Sequence, residues 1–496
     1  MPFSDLLVGI DDMALYVPNL FLDIATLATQ RGIEPEKLIR GLDLRQMSVP
    51  DSNEDAATMA ASAILTLIRR NKLDPRQIGR VYMGTESALD AAKPTASYVV
   101  GMLEAALASA FGERAMRHCD VVDMTFACVA GVDALQNCLD YVRLRPEKLA
   151  IVVASDIAKY ELNSTGEYTQ GAGAVAMLVK SAPRLLAFDD AWGVGMESVH
   201  DFFKPRRAFV KSEVVQAVLN EAGVGCDAKS VTDNLTEGGV SLFAWADRGV
   251  SVFREMPVFD GQYSNQCYVW RAQEAIEDFR RQVDVDASRS VFDRWRRVIC
   301  HLPYAAHGRR IGIELLAEDL RRIGQLGGLE AEANITTPEK DAHPKVQAVY
   351  IKALSQTPTY QQMVKAKFAD AQLASSYVGN MYTASVFLAL MSALEAELVE
   401  ADTPEGATYG FVSYGSGSKS KVFEATVQRG WRDVVAQFSV MTLLRGRQSI
   451  TFEQYEALHR GEVVGPFSEK KVLFALESVG AVGSLAGTRT YPFLND

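Results

Sequence analysis

The first 180 residues alternate between short apolar runs and helical periodicity, an order that few folds accept. Strand-like runs at Leu7–Tyr16, Ile78–Gly84, Asp120–Ala127, Leu149–Ala154 and Ala172–Val179 are separated by stretches at 54–70, 95–111 and 129–142, whose apolar residues recur every three or four positions. Such alternation builds an α/β unit around a sheet covered on both faces. A similar order returns later in the chain. Arg294–Cys300 reads as a strand ending at His301, Gly379–Glu397 as one long apolar helix, and Thr408–Tyr414 and Ser420–Val427 as strands. Lys421–Val427 closes this second series as Ala174–Val179 closes the first, so two related α/β halves are expected.

Other stretches interrupt the pattern. Residues 208–255 carry turn glycines (Gly223, Gly225, Gly238, Gly239) and an alternating run, Val240–Trp245, which reads as an insertion with a hairpin packed at one edge. Residues 325–345 read as an exposed loop. The tail holds Trp431, short amphipathic helices and Pro492. The expected division is therefore 1–207 and 256–430 as the two halves, 208–255 as the insertion and 431–496 as a C-terminal extension.

Length and charge exclude several function classes. A chain of 496 residues accommodates two or three compact units. Its formal charge of −11 argues against a nucleic acid as the main partner. Apolar runs such as Ala150–Ala154 are too short to cross a bilayer. No charged-then-apolar leader pattern opens the sequence, and six scattered cysteines without a CxxC pair fit reduced thiols in a cytoplasm better than disulfides or a zinc site. No metal site is expected, nor a nucleic-acid or membrane partner.

Cys128 is the residue with the most pointed surroundings. It sits where a strand runs into a helix, among Ala127, Ala130 and Gly131. A helix N-terminus carries unpaired N–H groups and partial positive charge, which favours a thiolate. From position alone two readings stand: a nucleophile, or a buried structural cysteine at a strand–helix joint. A nucleophile needs a base or ion-pair partner. Of six histidines, His301 is best placed, because ligand-facing residues gather at C-terminal strand ends. Its plain alternative is a hydrogen-bonded histidine at a strand end. Glu86, following Val81–Gly84, is a general acid/base if it lies in an apolar pocket and a solvated loop residue if it does not. Gly379–Thr383 and Ser413–Ser418 offer close backbone approach and N–H donors for an oxyanion. Neither they nor Thr169–Ala174 have the order of a dinucleotide or phosphate loop.

Taken in series, nine strings resemble the 3-hydroxy-3-methylglutaryl-CoA synthases of the thiolase superfamily: Gly84–Ser87, Phe126–Cys128, Ser155–Tyr160, Glu167–Met177, His200–Pro205, Pro257–Ser264, His301–Tyr304, Gly379–Thr383 and Tyr414–Gly417. The resemblance implies a thiolase-like αβαβα architecture built from two related halves. It implies that Cys128 carries an acetyl group from acetyl-CoA, that Glu86 is the general acid/base, and that His301 orients and polarises acetoacetyl-CoA. Asp156 and Asp201 match supporting carboxylates, while Thr169, Asn380, Ser416, Tyr160 and Arg310 match substrate-binding positions. Coenzyme A thioesters are then substrates, and no resident cofactor is implied. One departure is Ala306, where the family commonly carries a lysine that meets CoA phosphates; Arg309 and Arg310 follow closely.

The resemblance also implies a homodimer. The nearest alternative keeps the chemistry but takes its acyl groups from acyl carrier proteins, as in polyketide β-branching. A non-catalytic thioester-binding scaffold would need none of Cys128, Glu86 and His301. A ketoacyl synthase of the Cys–His–Asn type could use Asn380, but the string around Glu86 fits that type less well.

Overall fold

A computed structural model of the chain describes residues 6–494 apart from 238–248, 254, 284–285, 287, 340–341, 401, 464 and 481–484. Nine strands share the main sheet: β1 (Val8–Tyr16), β2 (Ile78–Gly84), β3 (Asp120–Met124), β4 (Leu149–Ala158), β5 (Gly171–Ser181), β6 (Leu186–Met196), β7 (Arg297–Cys300), β8 (Thr408–Gly415) and β9 (Lys419–Val427). Their order is β7-β8-β9-β6-β1-β5-β4-β2-β3.

That order contains one pattern twice. In the first repeat β1 pairs antiparallel with β5, β5 antiparallel with β4, and β4 parallel with β2. In the second, β6 pairs antiparallel with β9, β9 antiparallel with β8, and β8 parallel with β7. β3 is an extra parallel strand at the outer edge of the first repeat. In the sheet the repeats are joined between β1 and β6, at Gly9–Ala187 and Ile10–Leu186. Because β6 belongs by its pairing to the second repeat, the seam lies between Ser181 and Leu186, inside the segment that the sequence assigned to the first half.

Six helices position the site: α1 (Ala56–Asn71), α2 (Thr95–Phe111), α3 (Ala130–Leu144), α4 (Gly261–Gln282), α5 (His307–Arg322) and α6 (Ser385–Glu397). Alternate residues of β4 explain the layering. Ile151 and Val153 join a core with Ile64 and Leu67 of α1 and Val99 and Leu103 of α2, whereas Val152 and Ala154 join another with Val132, Leu135 and Leu139 of α3. A strand buried on both faces needs apolar residues at every position, which is why Ala150–Ala154 shows no polar alternation. In the second repeat α4 packs along β6, β9 and β8, with α5 against it, and α6 packs on β7.

Several expectations are corrected. The strand expected over Asp120–Ala127 ends at Met124, because Ala127 takes a left-handed backbone (φ +43°) and turns the chain into α3. The single helix expected over Gly379–Glu397 is broken: Gly379 (φ +87°) ends a preceding helix, Ala369–Val378, and α6 starts only at Ser385. Residues 325–345 are not simply a loop, since Leu326–Ala333 is helical with Leu326 and Leu329 buried on one side. The segment at 208–255 is not a plain hairpin. Arg206–Val210 pairs antiparallel with Gly249–Phe253 in a separate small sheet, with helices Lys211–Glu221 and Ala228–Glu237 between them. Gly238, Gly239 and Val240–Trp245 lie outside the described residues. The tail is stitched into the fold: Gln448–Ser449 extends a sheet with Leu20–Asp23 and Gln46–Val49, and Trp431 is buried.

Gly84 tests the junction of β2 with α3. A Cβ there would stand 2.4 Å from the Gly131 nitrogen and 2.5 Å from its Cα, so backbone would have to move. Gly84→Ala is expected to lower stability by about 1–3 kcal/mol, read as a fall in the urea midpoint at constant slope.

Candidate active site

Strand ends and helix starts from the two repeats converge on one cavity of about 470 Å³, lined by Cys128, Tyr160, Thr169, His301, Arg310, Asn380 and Ser416 together with aromatic side chains. Seven of the ten residues singled out from the sequence therefore share one wall. Glu86 is reached through Cys128, whose Sγ donates to Glu86 Oε1 at 2.9 Å. Asp156 and Asp201 stand behind and hold the loops.

The two repeats contribute in parallel. Glu86 follows β2 and His301 follows β7, the equivalent strand; Cys128 precedes α3 and Asn380 precedes α6, the equivalent helix. Asp156 ties these pieces together. Its carboxylate accepts from the Glu86 N–H at 2.6 Å, from Thr85 Oγ1 at 2.9 Å, from the Thr383 N–H at 3.0 Å and from the Thr383 hydroxyl. Asp201 performs the same service for the loop after β8. It accepts from Tyr414 OH at 2.7 Å, the Gly417 N–H at 2.7 Å and Ser264 Oγ at 2.9 Å, which fixes the segment bearing Ser416. Asn380 Oδ1 accepts from the Tyr382 N–H at 2.8 Å and from Ser385 Oγ at 3.0 Å, so its amide N–H₂ is the end left for a ligand.

Burial dominates the electrostatics. It pushes the Glu86 carboxyl up to about 7, with Asp156 adding to the rise and Lys204 and the Cys128 S–H opposing it. Cys128 is driven well above its ordinary value, by burial first and by the Glu86 charge second. The thiolate expected from the helix N-terminus is thus corrected to a thiol. A helix dipole is worth about 0.3–1 kcal/mol, whereas removing an ion from water costs several kcal/mol. The proton stays on sulfur and is offered to Glu86, which is positioned to take it. Burial also lowers His301 to about 3, so its imidazole is neutral at working pH. Its ring Nδ1 is buried without a partner among the described residues, while its backbone carbonyl accepts from Tyr268 OH at 3.1 Å.

The arginines after His301 divide their work. Arg309 is held by Asp43 at 3.0 Å and Gln372 at 3.1 Å. Arg310 donates to the Gly41 carbonyl at 2.7 Å and lines both the reaction cavity and an adjoining cleft of about 810 Å³ that also carries Lys352. Ala306 is buried and has no reach toward a ligand. Lys204 was missed as a site residue, although the string His200–Pro205 contained it; only the fold shows that its ammonium points back at Glu86.

Residues 5–183 match the N-terminal domain of hydroxymethylglutaryl-coenzyme A synthase and residues 251–464 match its C-terminal domain. The chain belongs to the hydroxymethylglutaryl-CoA synthase family. The Hydroxymethylglutaryl-CoA synthase of Haloferax volcanii is 31% identical over 460 residues, covering 91% of each chain, and that of Enterococcus faecalis is 27% identical over 451 residues, again 91% of each. Among solved structures, MvaS in complex with 3-hydroxy-3-methylglutaryl coenzyme A superposes with a TM-score of 0.76 at 28% identity, covering 99% of this chain and 100% of the other. The curacin-pathway HMG synthase with holo donor-ACP shares the fold at a TM-score of 0.71 and 19% identity, covering 98% and 100%. The layered thiolase-like architecture expected from the sequence is therefore that of this synthase family. Residues 184–250, which contain most of the inserted segment, fall between the two family matches.

Glu86 carries a stability cost with a defined sign. Its carboxyl titrates at about 7 in the folded chain against an ordinary 4.5. Below pH 4.5 both states are protonated and nothing is lost; as pH rises toward 7 only the unfolded chain ionises freely, so the native state is progressively destabilised. Glu86→Gln removes this effect. Its stability relative to the native chain should rise between pH 4.5 and 7 by up to ~3 kcal/mol, while activity falls by about 10²-fold or more. Denaturant titrations at pH 4.5 and 8 would check the sign.

Proposed function

We propose that this synthase joins acetyl-CoA to acetoacetyl-CoA through an acetyl-cysteine, giving 3-hydroxy-3-methylglutaryl-CoA. The observation that carries the proposal is the Cys128 Sγ–Glu86 Oε1 hydrogen bond of 2.9 Å beside a cavity that also holds His301. As Cys128 attacks the acetyl carbonyl, its proton passes to Glu86, and the departing CoA sulfur takes up a proton. A thiol that is not ionised at rest needs such an adjacent base. Glu86, ionised again, removes a proton from the acetyl methyl group. The carbanion adds to the ketone carbon of acetoacetyl-CoA, held by the neutral His301, and the alkoxide gains the proton that Glu86 collected. Water then cleaves the cysteine thioester.

We assign the backbone N–H groups of Cys128 and Ser416 to the enolate oxygen, because donors preorganised in a water-poor site stabilise developing charge most strongly. The substrates are coenzyme A thioesters, and the steps use only thiol, carboxyl and imidazole chemistry. Free CoA is favoured over a carrier protein by Arg310, which lines both the reaction cavity and the cleft carrying Lys352 and can meet phosphate.

Incubation with acetyl-CoA should add one acetyl group to the Cys128 peptide by mass spectrometry, and Cys128→Ala should add none. Acetoacetyl-CoA should then release product. Turnover confined to acetyl- and acetoacetyl-carrier protein would establish the polyketide-type alternative, and an unmodified Cys128 would favour a scaffold.

We also assign a homodimer and a cytoplasmic location. Edge strand β3 has β2 as its hydrogen-bonded neighbour and is partly exposed, so it presents unpaired backbone groups to a second copy. All six cysteines are unpaired, as in a reducing compartment, and no helix among the described residues is long and apolar enough to cross a membrane. Light scattering should give twice the chain mass of 54.3 kDa; a monomer would refute the dimer.

A further inference from the structure

Lys204 has no part in the reaction as set out above, yet its side chain is only 11% exposed and directed at the base. Its ammonium stands 4.0 Å from Glu86 Oε2, donates to the Glu86 backbone carbonyl at 3.2 Å and lies 4.9 Å from the centre of the Tyr382 ring. A lysine held this way gives up hydration and side-chain freedom, and it persists only where charge or hydrogen bonds compensate. Among the described residues the ionisable groups facing Glu86 are Cys128, Asp156, Lys204, Tyr160 and Tyr382. Lys204 is the one cation in that set.

In the resting enzyme two neighbours favour the Glu86 carboxylate: the Lys204 charge and the Cys128 S–H, which donates to it. Acetylation removes the second, since a thioester sulfur has no proton to donate. This is the moment at which Glu86 must be anionic, because the methyl C–H bond breaks only if the carboxylate can accept the proton while its electron pair moves toward the thioester carbonyl. We infer that Lys204 is the positioning residue that keeps Glu86 ionised in the acetyl-enzyme, and that it serves the condensation step more than the acetylation step. The inference rests on the acetyl-cysteine route proposed above.

The test separates the two steps. Rapid-quench mass spectrometry of the Cys128 peptide after acetyl-CoA alone measures acetylation, and its decay on adding acetoacetyl-CoA measures condensation. Lys204→Met should acetylate within about tenfold of the native rate but condense about 10²-fold more slowly, so that acetyl-enzyme accumulates. The pH profile of its condensation step should move to higher pH, and Lys204→Arg should recover most of the rate. Lys204→Gln, polar and of similar reach, gives the same comparison should Met not be accommodated. Equal loss of both steps, native condensation in the Met and Gln variants, or an unmoved pH profile overturns the inference. A native chain that never acetylates overturns the reaction itself instead.

Discussion

A thiol and a carboxyl buried against each other set the terms for the rest of this molecule. Burial makes neither Cys128 nor Glu86 easy to ionise; the Glu86 charge makes a thiolate costlier still, while the Cys128 S–H favours the carboxylate. The result is a proton held on sulfur and directed at the carboxyl along a 2.9 Å hydrogen bond. Free thiolate would be a stronger nucleophile at rest, but it would leave no proton for the carboxyl to take. Holding such a pair demands a stiff support. Asp156 supplies much of it by gathering Thr85, Glu86 and Thr383 onto one carboxylate.

The doubled topology explains how one site receives parts from such distant positions. Equivalent strands β2 and β7 end at Glu86 and His301, and equivalent helices α3 and α6 begin after Cys128 and Asn380. Where two repeats face each other, their corresponding ends come together, and each can be specialised separately. In the first repeat the positions hold a thiol and the carboxyl it donates to. In the second they hold a neutral imidazole and an amide whose oxygen is already engaged. Two buried carboxylates, Asp156 and Asp201, keep the two sets of loops in register from behind.

Much of the fold was legible because burial leaves a periodic trace. The runs at β1, β2, β5, β8 and β9 and the helices α1, α2 and α3 were placed within a few residues, and the recurrence of the β5 pattern in β9 pointed to related halves. Errors gathered where the backbone is turned by one residue's conformation. Ala127 ends β3 early although alanine carries no turn signal, and the helix read from Gly379 starts only at Ser385, because Gly379 closes the helix before it. Leu326–Ala333 was hidden by Gly327 and Gly328, since its helicity depends on Leu326 and Leu329 being buried by neighbours.

Local pattern was enough to mark Cys128, Glu86 and His301 as candidates beside plainer readings, and the order of nine strings, through the family they resemble, added the supporting residues. Neither decided their protonation states. A sequence carries the helix start that favours a thiolate, but the burial that overrides it is a property of every element packed around the sulfur. The direction of Lys204 is likewise decided by the turn of the chain after β6, which brings an ammonium back to a carboxylate 118 positions earlier. Chemistry of the groups is written locally; dielectric and distance, which decide how those groups behave, exist only once the chain has closed on itself.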